Sequence, residues 1–311
     1  MMRLMLRGSQ NRLMRKMDRI RTAEEAGTIK THSGGRVLRS MLHNPLSIFG
    51  LIAFFVIVAT AIAAPLITRY GPMQINLSGV LKPPSLQHLF GTDKLGRDIF
   101  SRVLYGGRIS ILIGLGSALG AAVIGVALGA YGGYKGGWID TIFLHLSEMF
   151  MSFPQIILVL LLVTIVGQST NNLIIIFITT GWGSTYRMTR ARMLSVREEE
   201  YAVALKSFGL NDFLICYKHL LPNALGPIMV NITLNTAMFI LQEAALSFLG
   251  LGVPLQFASW GNILNVANDL TVLQNYWWIW LPVGVVISLF VLSVNFIGDG
   301  LHDSSDPSQQ G

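Results

Sequence analysis

The sequence predicts an all-α integral membrane protein with six transmembrane helices and both termini in the cytoplasm. Three observations predict it. Of 311 residues, 52% are hydrophobic and only 13% charged, where a soluble domain carries about twice that charged share. The apolar residues fall into blocks close to the ~20 residues that cross a bilayer. The basic residues, finally, are shared unevenly between the segments that join those blocks, and such asymmetry orients a membrane chain.

Residues 1–45 carry Arg3, Arg7, Arg12, Arg15, Lys16, Arg19, Arg21, Lys30, Arg36 and Arg39 against Asp18, Glu24 and Glu25. This basic N-terminal segment belongs in the cytoplasm, either lying on anionic lipid as a basic helix or as a disordered tail that only sets orientation. The first span is Leu46 to Ile67. Ala61-Ile62-Ala63 looks like a signal-peptidase site, but the basic stretch before it is too long for a cleaved signal peptide. With the outer loop from Tyr70 to Arg108 it makes up residues 46–108.

Residues 109–300 form a five-helix core. Its first span, Ile109 to Tyr131, is glycine-rich. Gly116 and Gly120, and Gly125, Gly129 and Gly133, recur four apart and make small faces on which a second helix packs closely. Asp140 to Glu148 mixes acids and His145 with apolar residues and reads as an interfacial helix. No second imidazole sits at helical spacing from His145, so no metal site is expected there. Met149 to Val166 is the third span, with Pro154 in its first turns. The fourth begins at Leu173, and its helix continues past Tyr186 to Arg187 and Arg190, whose stems reach the inner interface. The fifth, Ala224 to Leu249, carries Asn231, Asn235, Gln242 and Glu243. A second outer loop, Gly250 to Trp280, holds Trp260, Trp277, Trp278 and Trp280 as interfacial anchors, and the sixth span is Leu281 to Ile297. Residues 301–311 are a cytoplasmic tail.

Between the fourth and fifth spans lies a charged island, residues 187–222, far longer than a connection needs. Glu198 to Phe208 are good helix formers, Gly209 suits a left-handed stop, Asn211 or Asp212 caps a second helix, and Pro222 closes it. With six spans, seventeen of the 23 lysines and arginines fall on the side of this elbow and the termini, which puts all three in the cytoplasm. Phe208, Leu210, Phe213, Leu214, Tyr217, Leu220 and Leu221 form an apolar stripe on it. Part must pack on the chain itself; the remainder needs a partner. The net charge of +7 gathers on no folded basic domain, so no nucleic-acid partner is expected. Cys216, the single cysteine, excludes an internal disulfide or a cysteine-cluster metal site and reads as a small apolar residue on the second elbow helix. No phosphate-binding loop of the Gly-x-x-x-x-Gly-Lys-Ser/Thr type occurs, and no HExxH or GxSxG motif.

Glu200-Tyr201 to Gly209, followed by Lys218-His219-Leu220-Leu221-Pro222-Asn223, resembles the coupling loop of importer permeases of the ATP-binding-cassette class. Gly91-Thr92-Asp93-Lys94-Leu95-Gly96-Arg97-Asp98 with Ser101-Arg102 is similar to the GTDxxGRDxxSR signature of the peptide and nickel permeases within that class. Glu243 to Gly252 with Ser259-Trp260-Gly261, and Asn295 to Leu301 with Asp303 and Asp306-Pro307, resemble two further signatures of the same family. There are departures. Aligned on Gly209, Val203 stands where the family's loop has glutamate; His145 and Glu148 replace an arginine and an aspartate; Leu255 and Gln256 stand after Pro254 in place of a proline; His302 replaces an arginine.

The resemblance implies a type I importer permease fold and a subunit that moves di- or oligopeptides inward. It implies an ATPase-coupling loop made by Glu200, Tyr201, Ala204, Ser207, Phe208, Gly209, Phe213, His219, Leu221 and Pro222, and an outer side bearing Asp93, Arg97, Asp98, Arg102, Ser259 and Trp260 toward a binding protein. Glu243 either reaches the outer interface or lines a path or gate, and no residue is catalytic. Expected partners are a second related permease, two cytoplasmic ATPases, an extracytoplasmic peptide-binding protein and lipid. This chain binds no cofactor of its own; ATP and magnesium belong to the ATPases. Within the class, nickel or a metal–chelator complex is the alternative cargo. An ion-coupled transporter would need mid-membrane acids in several spans and an inverted repeat, neither of which is seen; a membrane scaffold or sensor would need neither a path nor an ATPase.

Overall fold

Asn44 accepts a hydrogen bond from the backbone of Leu46, and Pro45 takes the first helical turn where its missing N–H costs nothing. This start opens helix α1 (Pro45–Ile62) in the computed structural model, which describes Met41 and residues 44–305. Residues 1–40, with their basic side chains, and the Asp306-Pro307 pair lie outside the described residues. Only Ser47, Gly50 and Ala61 of α1 are buried, so most of its apolar surface faces outward.

Asp98 caps helix α2 (Ile99–Lys135) by accepting from the Ser101 N–H at 2.8 Å. The helix therefore begins ten residues before the expected Ile109, and Arg102 and Arg108 are helical, not loop, residues. Helix α3 (Gly137–Met151) and helix α4 (Gln155–Val166) follow, bent by 88° across the break between them. Pro154 causes that break, because it lacks a donor and forces the preceding residue to extend. The expected third span from Met149 is thus a twelve-residue helix from Gln155, and Met149–Met151 belong to α3. Helix α5 (Thr170–Val196) runs on past Arg187 and Arg190 as expected.

Helix α6 (Glu200–Ser207) ends at Gly209, whose φ is +75°, and the Asn211 side chain caps the next turn through the Phe213 N–H at 2.8 Å. Pro222 does not close that second helix. One α-turn (Asp212–Leu214) passes into a π-helix (Ile215–Leu220) and then into helix α7 (Leu221–Phe248), where Pro222 sits in the first turn. The Leu221 N–H reaches back five residues to the Cys216 carbonyl. This wider turn shifts the hydrogen-bond ladder ahead of the proline, so the helix passes it unbroken. Short helices α8 (Trp260–Leu264) and α9 (Leu270–Asn275) lead to helix α10 (Trp277–Ser305), which already contains Trp277, Trp278 and Trp280.

Among the described residues, four helical stretches are long and apolar enough to cross a membrane: α1, α2, residues 212–248 and α10; the bent pair α3–α4 makes a fifth if it is one span. Helix α5 is as long but more polar, with Asn171, Asn172, Thr179, Thr180, Ser184 and Thr185 along it besides its arginines, and it is not among them. Among the described residues there is no strand, only an isolated bridge between Thr92 and Asp98.

Helix α2 is the axis. One side packs Ile99, Val103 and Ile111 against Ile240, Trp260, Val283 and Phe290; the other packs Ile113, Ala118 and Ala121 against Phe177, Trp182, Tyr186 and Val163. The close approach of α2 to α5 depends on glycine. A Cβ at Gly125 would stand 2.7 Å from Thr185 Cβ, one at Gly129 2.6 Å from the Tyr186 carbonyl, and one at Gly133 2.7 Å from that of Arg190. Gly120 meets Ile178 in the same way, but Gly116 faces open space. The glycine face is real except for its first member.

Candidate functional site

The elbow is fixed to α2 and bare at its tip. Tyr217 donates to the Ala127 carbonyl at 2.8 Å, Tyr134 to Asp212 at 3.0 Å, and Arg197 to the Gly133 carbonyl at 3.0 Å. Ala202, Ile215, Cys216 and Leu220 are buried against Ala130 and Met193. On the outside lie Glu200, Ala204, Ser207, Phe208, Gly209, Phe213 and Pro222, with Val203 beside them. Phe208 and Phe213 are 62% and 63% exposed, which is unusual for phenylalanine in a water-facing loop. Tyr201 and Leu221 are half-buried, and the Tyr201 hydroxyl accepts from Asn223 at 2.9 Å. The Asn223 amide also bonds the His219 carbonyl. Of the expected stripe, Leu220 packs inward while Phe208, Phe213 and Leu214 remain exposed, the Phe213 ring lying against Tyr217.

At the start of the elbow segment, Arg190 holds Asp140 with two prongs, Nε to Oδ1 and Nη2 to Oδ2, both at 2.7 Å. The Tyr186 hydroxyl donates to the same carboxylate at 2.8 Å. Arg190 is therefore engaged in joining α3 to α5, not reaching freely to the interface. The fit needs Gly132, where a Cβ would lie 2.7 Å from Asp140 Oδ1.

On the opposite side, the GTDxxGRDxxSR stretch folds around its own acids. Asp93 accepts from the backbone of Leu95 (2.9 Å) and Arg97 (3.0 Å) and from Arg97 Nε (2.7 Å), and Arg102 Nε lies 3.8 Å away. Asp98 accepts from Ser101 and pairs with His88 Nδ1 at 2.9 Å, while the His88 ring stacks on Tyr70. Ser259 caps α8 through the Asn262 N–H, and the Trp260 indole donates to the Val103 carbonyl at 3.0 Å. Asp93, Asp98, Arg102, Ser259 and Trp260 are all buried. They make the frame of the outer assembly, not its surface, and Trp260 is a core residue, not an interfacial anchor. Asp93 and Asp98 are satisfied from within by backbone and side-chain donors, whereas among the described residues the buried Arg102 Nε makes no hydrogen bond and only an ion pair with Asp93. The outer loops expose the apolar Leu77, Leu86, Leu255 and Phe257 among polar residues such as Gln74, Lys82 and Gln87. Lys94 ties the first loop to Asp269 of the second, and its hydrogen bond pulls the Asp269 carboxyl down to about 2.

Glu243 is fully buried near the outer end of α7. Ser110 of α2 donates to one oxygen at 2.7 Å and Ser247 to the other at 2.8 Å. The same two hydroxyls accept from the backbone of Trp260 (3.1 Å) and Val253 (3.0 Å). The carboxylate thus knots α2, α7 and the second outer loop, and does not reach the interface. Neither this knot nor the Asp140 clasp was legible beforehand, because partners 133 and 50 residues apart leave no local pattern. Among the described residues no three His, Cys, Asp or Glu side chains gather as a metal site.

Residues 110–310 match the family described as binding-protein-dependent transport system inner membrane component, and residues 34–84 match the N-terminal transmembrane domain of oligopeptide transport permease C. A putative peptide permease protein of Brucella suis is 38% identical over 289 residues, 93% of this chain and 96% of that protein. A dipeptide transport system permease protein of Bacillus subtilis is 38% identical over 86% of this chain and 84% of its own length. An oligopeptide transport system permease protein of the same organism is 39% identical over 85% of this chain and 86% of its own length.

Proposed function

Since this chain belongs to the family of binding-protein-dependent transport system inner membrane components, we propose that it is a permease subunit of an ATP-driven importer of di- or oligopeptides. The observation that carries this reading beyond family membership is the bare aromatic tip of a rigidly mounted elbow. Phe208 and Phe213 stand out on a loop that is hydrogen-bonded at three points to α2. A soluble ATPase that grips this tip moves α2, and α2 carries α5 and α7 with it through glycine-tight contacts that do not deform.

In this reading six helices cross the membrane with both termini inside, α5 being shielded from lipid along its α2 face. They form one half of the path, and a second, related permease forms the other. ATP and magnesium are held by two cytoplasmic ATPase subunits. A peptide-binding protein docks on the outer loops through exposed residues such as Leu86, Leu255 and Phe257, over a frame set by Asp93, Asp98, Arg102 and Trp260. Glu243 steadies that frame beside the path.

The test is reconstitution with the candidate ATPases, second permease and binding protein in proteoliposomes. ATP-dependent accumulation of a radiolabelled dipeptide or tripeptide is expected. Accumulation of nickel without peptide, or uptake driven by an ion gradient without ATP, would defeat the proposal.

A further inference from the structure

Half-exposed amides in the middle of a membrane helix call for an explanation that lipid cannot give. Asn231, Asn235 and Gln242 recur at four and seven residues along α7, so they share one stripe about 16 Å long at ~1.5 Å per residue; Asn231 and Asn235 are half-exposed, and Gln242 is buried at its end. Asn235 is halfway along α7, and Ser184, its partner, halfway along α5. Asn235 Nδ2 lies 3.2 Å from Ser184 Oγ, Thr185 Oγ1 and Asn231 Oδ1, more acceptors than its two hydrogens can serve. Thr185 donates to Asn231 Oδ1 at 2.8 Å, and among the described residues nothing accepts from the Asn231 amide nitrogen. At the outer end of the stripe Gln242 bonds Gln155, the first residue after the helix break, at 3.1 Å. Beside the amides stand Leu234, Met238 and Leu241, all exposed.

Hydrocarbon does not satisfy spare amide donors, so this stripe faces water or a polar partner. It lacks the marks of a tight helix–helix seam. Its exposed neighbours are bulky, whereas close membrane packing uses small residues, and most glycines of α2 are spent within this chain. We infer that the Asn231–Asn235 part of the stripe lines the substrate path and binds the backbone amides of a passing peptide, while buried Gln242 ties its end to Gln155. This rests on the importer reading above. The chemistry suits the cargo: side-chain amides donate to and accept from peptide groups whatever the sequence, and Met238 gives an adaptable apolar contact. No charged side chain lies between Asn223 and Gln242, so the stripe holds cargo weakly enough to release it.

Asn231→Cys and Asn235→Cys, each in the assembled importer in proteoliposomes, test this with a membrane-impermeant charged thiol reagent. Cys216 is fully buried, so the unsubstituted chain gives the baseline. Both cysteines are expected to label, and excess trialanine with its binding protein should slow the labelling. The double variant Asn231→Leu/Asn235→Leu should lower trialanine uptake roughly tenfold, as for two lost hydrogen bonds, while Asn235→Gln keeps most of it. Labelling no higher than baseline, labelling that trialanine does not slow, cross-linking to the second permease in place of labelling, or unimpaired uptake by the double variant overturns the stripe. An unsubstituted complex that moves no peptide at all with ATP and its binding protein overturns the importer reading itself.

Discussion

Arg190 clasps Asp140 through two parallel hydrogen bonds of 2.7 Å, and so joins α3 to α5 at the start of the elbow segment. Both side chains are largely withdrawn from water. Removing one partner of such a pair costs about 3 kcal/mol or more, because the other charge is left unpaired. Arg190→Leu is therefore expected to lower the melting temperature in detergent more than the double variant Asp140→Leu/Arg190→Leu. Arg190→Lys, a point charge without the fork, should fall between. Equal losses in single and double variants would remove the clasp from the account.

Glu243 gives a second stability prediction. Its two oxygens accept from Ser110 and Ser247, and those hydroxyls hold the Trp260 and Val253 backbone. Glu243→Gln keeps one acceptor and about the same volume, so it should cost roughly 1 kcal/mol. Glu243→Leu strands both hydroxyls and should cost about 2–3 kcal/mol, with faster protease cleavage in the second outer loop. A Leu variant as stable as the Gln variant would show that the knot holds nothing.

The glycines of α2 separate two residues that look alike in the sequence. At Gly129 a Cβ would meet the Tyr186 carbonyl at 2.6 Å and Thr189 Cβ at 2.9 Å; at Gly116 it would meet nothing. Gly129→Ala should destabilise by about 1–3 kcal/mol through overpacking. Gly116→Ala should be neutral or stabilise by up to about 1 kcal/mol, since alanine favours helix. Thermal unfolding of the two variants side by side decides the matter.

These residues also mark what the sequence could tell. Four-residue glycine spacing, the Gly209 stop and the Asn211 cap are local patterns, and each appears in the structure where expected, Gly116 apart. Pro222 misled because its usual effect is local too, while the π-helix that carries the chain past it is set by Leu220 and Cys216 packing on α2. The GTDxxGRDxxSR stretch was legible as a unit but not as a buried one: charged residues look like surface until His88, Arg97 and Arg102 are found closing over Asp93 and Asp98. The two buried acids, Asp140 and Glu243, were visible as residues in apolar company, yet their partners arrive from distant helices and could not be named.

The elbow tip supplies the last prediction, and it sets shape against charge. Val203 is exposed, at the position where the resemblance places a glutamate. If an acid were needed for coupling, this chain would couple poorly and Val203→Glu would improve uptake. Apolar contact predicts the reverse ranking: Val203→Glu changes uptake little, whereas Phe208→Asp or Phe213→Asp removes an anchor of about 2 kcal/mol or more. Both side chains are more than half exposed, although the Phe213 ring also packs on Tyr217 at 4.6 Å. Both variants should therefore insert, Phe208→Asp should melt normally, and peptide uptake and binding-protein-stimulated ATP hydrolysis should fall together. Leu221→Asp is the control with the opposite signature, since half-buried Leu221 supports the elbow from within and should lower stability as well as uptake. Full coupling in the two Phe variants would mean that the ATPase grips another surface.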